Sequence, residues 1–360
     1  MDFDFSEEQY MFQKTVRDLL SRELNIEQLR KAMPETVWSS LSDLGIFAIF
    51  PSEDDGGMGL GFTDLALVFE EFGRALVPSS VAASVLASAI IAKFGTAQQR
   101  GLLAALADGS ARMTPAVVDP MNGPGTKVER NGDTWRLTGR KILVCEAASA
   151  DNLLIVASLD GQPTLCVARS AQAGIGLSEE KTLDLGSKWY AVTFDAVDVE
   201  LVGGRDAVEY LHDAGSVLSA LQMTGIAARA LDEALGYVGQ RVQFDKIIGS
   251  FQAIKHRCAD LAVDVETCRS VAYYAAWGLD EAEASERRRA ASMAKSWCGE
   301  KAARACNESI QLHGGTGFTW DLGLHLFLRR AKIEQSLWGD AAWHRERLME
   351  ETVNRMEAGE

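Results

Sequence analysis

Two short stretches carry the most distinctive chemistry in this chain. Arg241-Val242-Gln243-Phe244 is followed by Gly249-Ser250-Phe251-Gln252, and Gln311-Leu312-His313-Gly314-Gly315-Thr316-Gly317 comes later. A guanidinium fork can hold a pyrophosphate through paired, charge-assisted hydrogen bonds. Two glutamine amides can read the polar edges of an adenosine, and Phe244 offers a flat apolar face. Gly314 and Gly315 remove side chains where a backbone must approach a ligand closely. Each residue also has a plainer reading: Gly314-Gly315 as a helix C-cap, Arg241 as a surface arginine. Other reactive signatures do not occur, neither a GxSxG elbow nor a P-loop nor HExxH. The five histidines (His212, His256, His313, His325, His344) are scattered and read as structural. The glycine cluster from Gly56 to Gly61 lacks the strand-turn-helix context of a dinucleotide fingerprint and reads as a loop.

The elements that position these stretches are legible in the pattern. Ser6-Glu7-Glu8-Gln9 is a capping box, with Phe5 placed to staple against Tyr10. Helical spacing continues through Phe12, Val16, Leu19 and Leu20, from Trp38 to Phe47, from about Thr63, and in an Ala-rich run from Val81 to Lys93. Between about Met113 and Leu201 the period drops to two. Trp135 to Thr138, Leu153 to Ala157, Val192 to Phe194 and Val197 to Val199 read as strands, with hairpin chemistry at Asn131-Gly132 and Asp160-Gly161. Long helical pieces then cover Glu209 to Val238, Gln252 to Trp277, Ser285 to Leu312 and about Leu322 to Met356. The expectation is a multidomain α+β chain. Residues 1–112 form an all-α domain, 113–203 a small antiparallel β domain, and 204–360 a four-helix bundle.

Composition narrows the functional classes. The chain has 360 residues, 47% hydrophobic and 24% charged, the balance of a globular protein. Thirty-six Lys+Arg against 51 Asp+Glu leave a net charge of −15, which repels phosphate backbones and argues against nucleic acid. No apolar run is long enough for a membrane span, and the acidic start Met1-Asp2-Phe3-Asp4-Phe5 is unlike a secretory signal. Six cysteines lie far apart with no CxxC, as expected of reduced cytoplasmic thiols rather than a disulfide framework or a metal site.

Together and in this order, the motifs resemble the acyl-CoA dehydrogenase family of flavoproteins. The resemblance covers nearly the whole chain. It includes Gly56-Gly57-Met58-Gly59-Leu60, the helix Asp64 to Glu71, Leu185-Gly186-Ser187, and above all Arg241 to Ile254 and Gln311 to Gly317. The resemblance implies FAD as cofactor and desaturation of an acyl-CoA thioester between its α and β carbons. A glutamate takes the α proton and the flavin accepts hydride from the β carbon. It further implies that Arg241, Gln243, Phe244, Gln252, Gln311, Gly314 and Gly315 hold the ADP half of an FAD lying in a neighbouring subunit.

The family's other half-site is altered. A Thr-Glu-Pro-Gly-x-Gly-Ser-Asp segment is replaced by Thr114 to Asn122, where only Thr114 survives, and the Trp-Ile-Thr/Ser flavin contact by Leu143-Val144-Cys145. Ala331-Lys332-Ile333 is kept, but Trp338 stands at the glutamate's place in Leu337-Trp338-Gly339-Asp340. An indole cannot accept a carbon-bound proton. A second place, where some relatives carry the base, aligns near Gly215-Ser216 and also holds no carboxylate. Glu334, Asp340 and Asp213 are nearby acids, but a shift of one or two helical positions turns a side chain by roughly 100–200°. The resemblance therefore implies a subunit without a catalytic residue of its own. It would complete the FAD site of a paralogous catalytic subunit, as in bacterial α2β2 assemblies acting on steroid or other bulky acyl-CoA substrates. An electron-transfer flavoprotein or similar acceptor would take the electrons. Two alternatives stand beside it, a self-sufficient homomeric dehydrogenase with a displaced base and a non-enzymatic binding member of the family.

Overall fold

The computed structural model describes residues 4–25 and 34–358. Helix α1 (Glu7–Glu23) starts as expected. Ser6 and Gln9 form the reciprocal capping box, and the Phe5 and Tyr10 rings meet edge-on at 6.1 Å. Next come α2 (Glu35–Asp43), α3 (Phe62–Ala75) and α4 (Ser79–Phe94), then two short helices, α5 (Ala97–Arg100) and α6 (Leu103–Ala107). The strands are β1 (Met113–Ala116), β2 (Lys127–Asn131), β3 (Thr134–Cys145), β4 (Asn152–Leu159), β5 (Gln162–Arg169), β6 (Ile175–Glu180) and β7 (Trp189–Gly203). After them run α7 (Arg205–Val238), a hairpin of β8 (Val242–Gln243) and β9 (Lys246–Ile247), α8 (Gln252–Glu281), α9 (Ala284–His313), α10 (Leu324–Ser336) and α11 (Ala341–Ala358).

By mutual packing the chain forms two compact units. One contains α1, α3 and the helices from Asp213 onward; the other contains residues 34–61 and 78–212. In the second unit the strands follow the order β1-β4-β2-β3-β7-β5, β5 pairs again with β4, and β6 adds to β7. Alternate residues such as Leu137, Leu153, Ile155, Cys166, Val192 and Phe194 fill its interior. The sheet is mixed rather than wholly antiparallel, because β1 and β2 each pair with β4 in parallel. Local turn chemistry sets only the hairpins: Asp160 and Gly161, both at positive φ, join β4 to β5. Nothing local fixes the direction of strands that meet after long connections. The β2–β3 turn lies one residue later than its motif, on Gly132-Asp133 between the paired Asn131 and Thr134.

In the first unit α3 is buried on nearly every side and lies against α7 at glycine contacts. A Cβ on Gly73 or Gly225 would run into the backbone of Gln222 or Glu70 respectively. The expected single helical stretch from Leu322 to Met356 is broken in two. Trp338 (φ +62°) and Gly339 (φ +96°) turn the chain, and Asp340 restarts it by accepting from the Trp343 amide at 2.9 Å. Composition alone gave little sign of this break, since a tryptophan rarely adopts left-handed backbone. Among the described residues no helix is long and apolar enough to cross a membrane, and no group of three or more His, Cys, Asp or Glu could hold a metal. All six cysteines are free and buried.

Candidate functional site

The two motifs separated by about sixty residues in sequence meet at one end of the helical unit. Helix α7 ends there, α8 begins there, and α9 ends there. The His313 ring, buried, stacks on Tyr237 at 4.4 Å and so ties the end of α9 to the end of α7. Gly249 permits the hairpin to fold back, because a Cβ would stand 2.8 Å from the Val238 carbonyl. Val242 pairs with Ile247 and Gln243 with Lys246, leaving Phe244 and Asp245 as a two-residue loop at φ +53° and +59°. Left-handed backbone costs about 1–2 kcal/mol at each non-glycine residue. The strain presents Phe244 outward, 85% exposed, with its ring edge-on to Phe251 at 6.3 Å.

The arginine and glutamines of the two motifs are exposed. Arg241, Gln243, Gln252 and Gln311 make no side-chain hydrogen bond or ion pair among the described residues. Gly314 does cap α9, as its plainer reading expects, its amide donating to the Gln311 carbonyl. It also sits in an open place: a Cβ on Gly314 or Gly315 would meet nothing within 4 Å. A guanidinium, three amides, an aromatic face and an uncovered glycine pair suit an anionic, adenosine-bearing ligand. The ADP moiety of FAD fits this donor set.

Trp338 and Gly215 stand in a different environment. The indole lies on α7, where a Cβ at Gly215 would come closer than 3.0 Å to three of its ring carbons. The two places at which a base was expected therefore converge on one point, and an indole fills it. The turn is clamped from two sides. His344, fully buried, donates from Nε2 to the Trp338 carbonyl at 2.9 Å, while its Nδ1 faces the Ser292 hydroxyl at 3.2 Å. The buried Lys295 ammonium donates to the Gly339 carbonyl at 3.0 Å and the Gln335 carbonyl at 3.3 Å. Burial pushes Lys295 down to about 8, opposed by the Glu334 carboxylate and, less strongly, Asp340.

Every acid considered as a displaced base is engaged. Buried Glu334 accepts from the Ser219 hydroxyl at 2.7 Å. Asp340 caps α11. Asp213 is fully buried, accepting from Arg287 Nε at 2.9 Å and ion-paired with Arg347 at 2.7 Å.

In the β unit, residues 114 and 143–146 are tied to their neighbours by local hydrogen bonds. The Thr114 hydroxyl donates to the Cys145 carbonyl at 2.8 Å. Leu143 and Glu146 adopt φ +53° and +49°, the Leu143 amide donates to the Glu180 carboxylate at 3.0 Å, and the Lys188 amide donates to Glu146 at 2.7 Å. Burial raises the Glu146 carboxyl. Lys141, fully buried, pins the loop after β1 by donating to the Val117 carbonyl at 2.9 Å and pairing with Asp119 at 2.8 Å. Desolvation lowers its ammonium below the usual lysine value. The Thr114 hydroxyl and the Leu143 and Lys188 amides thus all have partners within this unit. Sequence reasoning did not single out Lys141 or Lys295, and it read His344 as one of five scattered structural histidines, which its buried place behind the Trp338 turn agrees with.

Comparison with known proteins agrees with this architecture. Residues 6–110 match the family described as acyl-CoA dehydrogenase, N-terminal domain, and residues 203–352 match acyl-CoA dehydrogenase, C-terminal domain. The chain is 30% identical to the probable acyl-CoA dehydrogenase YngJ of Bacillus subtilis, over 92% of this chain and 94% of that one. It is similar to the solved ChsE4-ChsE5 complex from Mycobacterium tuberculosis (TM-score 0.91, 26% identity, 98% of this chain and 99% of that chain). It is equally similar to a Tcur3481-Tcur3483 steroid ACAD variant (TM-score 0.91, 28% identity, 98% and 99%).

Proposed function

The chain belongs to the acyl-CoA dehydrogenase family, and from that membership we propose that it is the non-catalytic subunit of a heteromeric, FAD-dependent acyl-CoA dehydrogenase. Family flavoproteins of this kind bind FAD, which when bound accepts hydride from the β carbon of the thioester. The chain's own part is binding. Arg241 holds the pyrophosphate, Gln243, Gln252 and Gln311 read the adenosine, Phe244 lies against it, and Gly314-Gly315 leaves room for it. A paralogous subunit carries the base and the ring contacts. The observation that supports this division is the opposite state of two sets of polar groups. Those of the adenosine end are exposed and have no side-chain partner among the described residues, whereas those of the base end are buried and engaged.

A base contributes about 10²–10⁴-fold to such a proton abstraction, so a subunit whose base position is an indole is silent alone. Relatives named as a two-component complex and as a steroid ACAD support an assembly of unlike chains and a bulky, steroid-type acyl group as substrate, and on this proposal the assembly is a cytoplasmic heterotetramer. An electron-transfer flavoprotein or similar acceptor then reoxidises it.

The test is purification of the chain alone and together with a paralogous subunit, recording flavin absorbance and desaturation of short, long and steroid-type acyl-CoA esters. The expected result is a colourless, inactive single chain and a yellow, active pair. Stoichiometric FAD and robust turnover in the single chain would overturn the proposal.

A further inference from the structure

The turn at Trp338 is a built structure rather than a relic of a lost base. A decayed position would be expected to relax, yet here a tryptophan is kept in left-handed backbone at φ +62°. Two fully or nearly fully buried polar side chains from different helices hold it. His344 of α11 bonds the Trp338 carbonyl and Lys295 of α9 bonds the next one, at Gly339. The α7 residue beneath the ring is glycine, and any larger residue would collide with the indole. Behind it, the Asp213–Arg287–Arg347 cluster fixes the same stretch of α7 against α9 and α11. Ring, glycine and clamp form one fitted unit.

We propose that Trp338 seated on Gly215 is a closure: the indole occupies the place an acyl thioester would share with a base and so keeps acyl-CoA out of this chain. The inference rests on the reading of the chain as a non-catalytic subunit and adds a selectivity role to it. It makes Trp338 a specificity-determining residue of the assembly, which takes acyl-CoA only at the partner subunit's site.

The test uses the intact pair and a 3-thia acyl-CoA, whose β position is sulfur and cannot be desaturated. Titration calorimetry of the wild-type pair should give one equivalent bound per pair, Trp338→Phe should still give one, and Trp338→Ala should give two. Melting curves and circular dichroism report whether the variants keep their fold. A Trp338→Ala pair that folds and still binds one equivalent would overturn the closure while leaving the non-catalytic assignment standing, since that assignment is decided by FAD and turnover in the isolated chain. Two equivalents in the wild-type pair would also overturn it. A second measurement does not depend on ligand binding. Gly215→Ala should lower the melting temperature, and Trp338→Ala in the same chain should restore most of that loss. Additive losses would mean that ring and glycine are not a fitted pair.

Discussion

The two ends of α7 have opposite characters. Gly215 and Val238 are separated by roughly 35 Å of helix at 1.5 Å per residue. At the Val238 end, polar side chains are exposed without partners among the described residues, and a strained hairpin displays Phe244. Near Gly215, Asp213, Lys295, His344 and Glu334 are buried, and each has an intrachain partner. Unpaired exposed groups on a rigid scaffold are what a ligand or partner can use, whereas buried satisfied groups maintain a shape. The same helix thus carries the end proposed to bind and an end that is structural, and mutations should separate them.

The largest effect is expected at the structural end. Asp213→Ala removes a fully buried carboxylate from between the Arg287 and Arg347 guanidiniums and takes that counter-charge from both. Breaking a buried ion pair from one side costs about 3–5 kcal/mol. Chemical denaturation should show that loss in the pair and in the single chain alike. A change below about 1 kcal/mol would mean that this end is not the structural one.

A smaller effect, of another kind, is expected at the binding end. Arg241→Ala removes a charged donor that has no partner within the described chain, so stability should stay within about 0.5 kcal/mol of the original, as for other surface substitutions. FAD retention by the pair should weaken by about 1.5–3 kcal/mol, the usual worth of a hydrogen bond to a charged group. Fluorescence titration of released flavin measures it. Unchanged affinity would reduce Arg241 to an ordinary surface residue and erase the contrast.

What could be read from residue types alone follows the same division. The capping box at Ser6 and the Asp160-Gly161 turn are local devices and were visible. The residues proposed for the adenosine end were legible as two motifs, and the structure shows them exposed at the ends of α7 and α9 and the start of α8. The break between α10 and α11 was not visible, nor was the parallel pairing of β1 with β4. Each is set by distant groups, Lys295 and His344 in one case and sheet closure in the other. The long strand β7 was seen only as two pieces, since Ala196 at φ +50° interrupts its alternation. Around Trp338 the residue types showed an indole where the resemblance implies a carboxylate, but not the buried Lys295 and His344 that hold its turn.

Lys295 offers the finest measurement of that replacement, through pH. Burial holds its ammonium down to about 8, against about 10.4 for a lysine in an unfolded chain. Between those values the unfolded chain keeps a proton that the folded chain has released. Unfolding free energy rises with pH wherever the unfolded state binds more protons, so this residue makes the fold more stable as pH climbs from about 8 towards 10.4. Below about 8 both states are protonated and the contribution is flat. The slope is bounded by one proton, about 1.4 kcal/mol per pH unit, and is smaller to the extent that Glu334 and Asp340 hold the charge in place. Lys295→Met removes it. The difference between the two unfolding free energies, followed by denaturant titration from pH 7 to 10, cancels the other titrating groups. It should be level up to about 8 and then grow in favour of the native protein. A difference that shrinks above pH 8 would mean that the ammonium is stabilised where it sits, and that Lys295 pairs as a charge with Glu334 rather than holding the Trp338 turn as a buried donor.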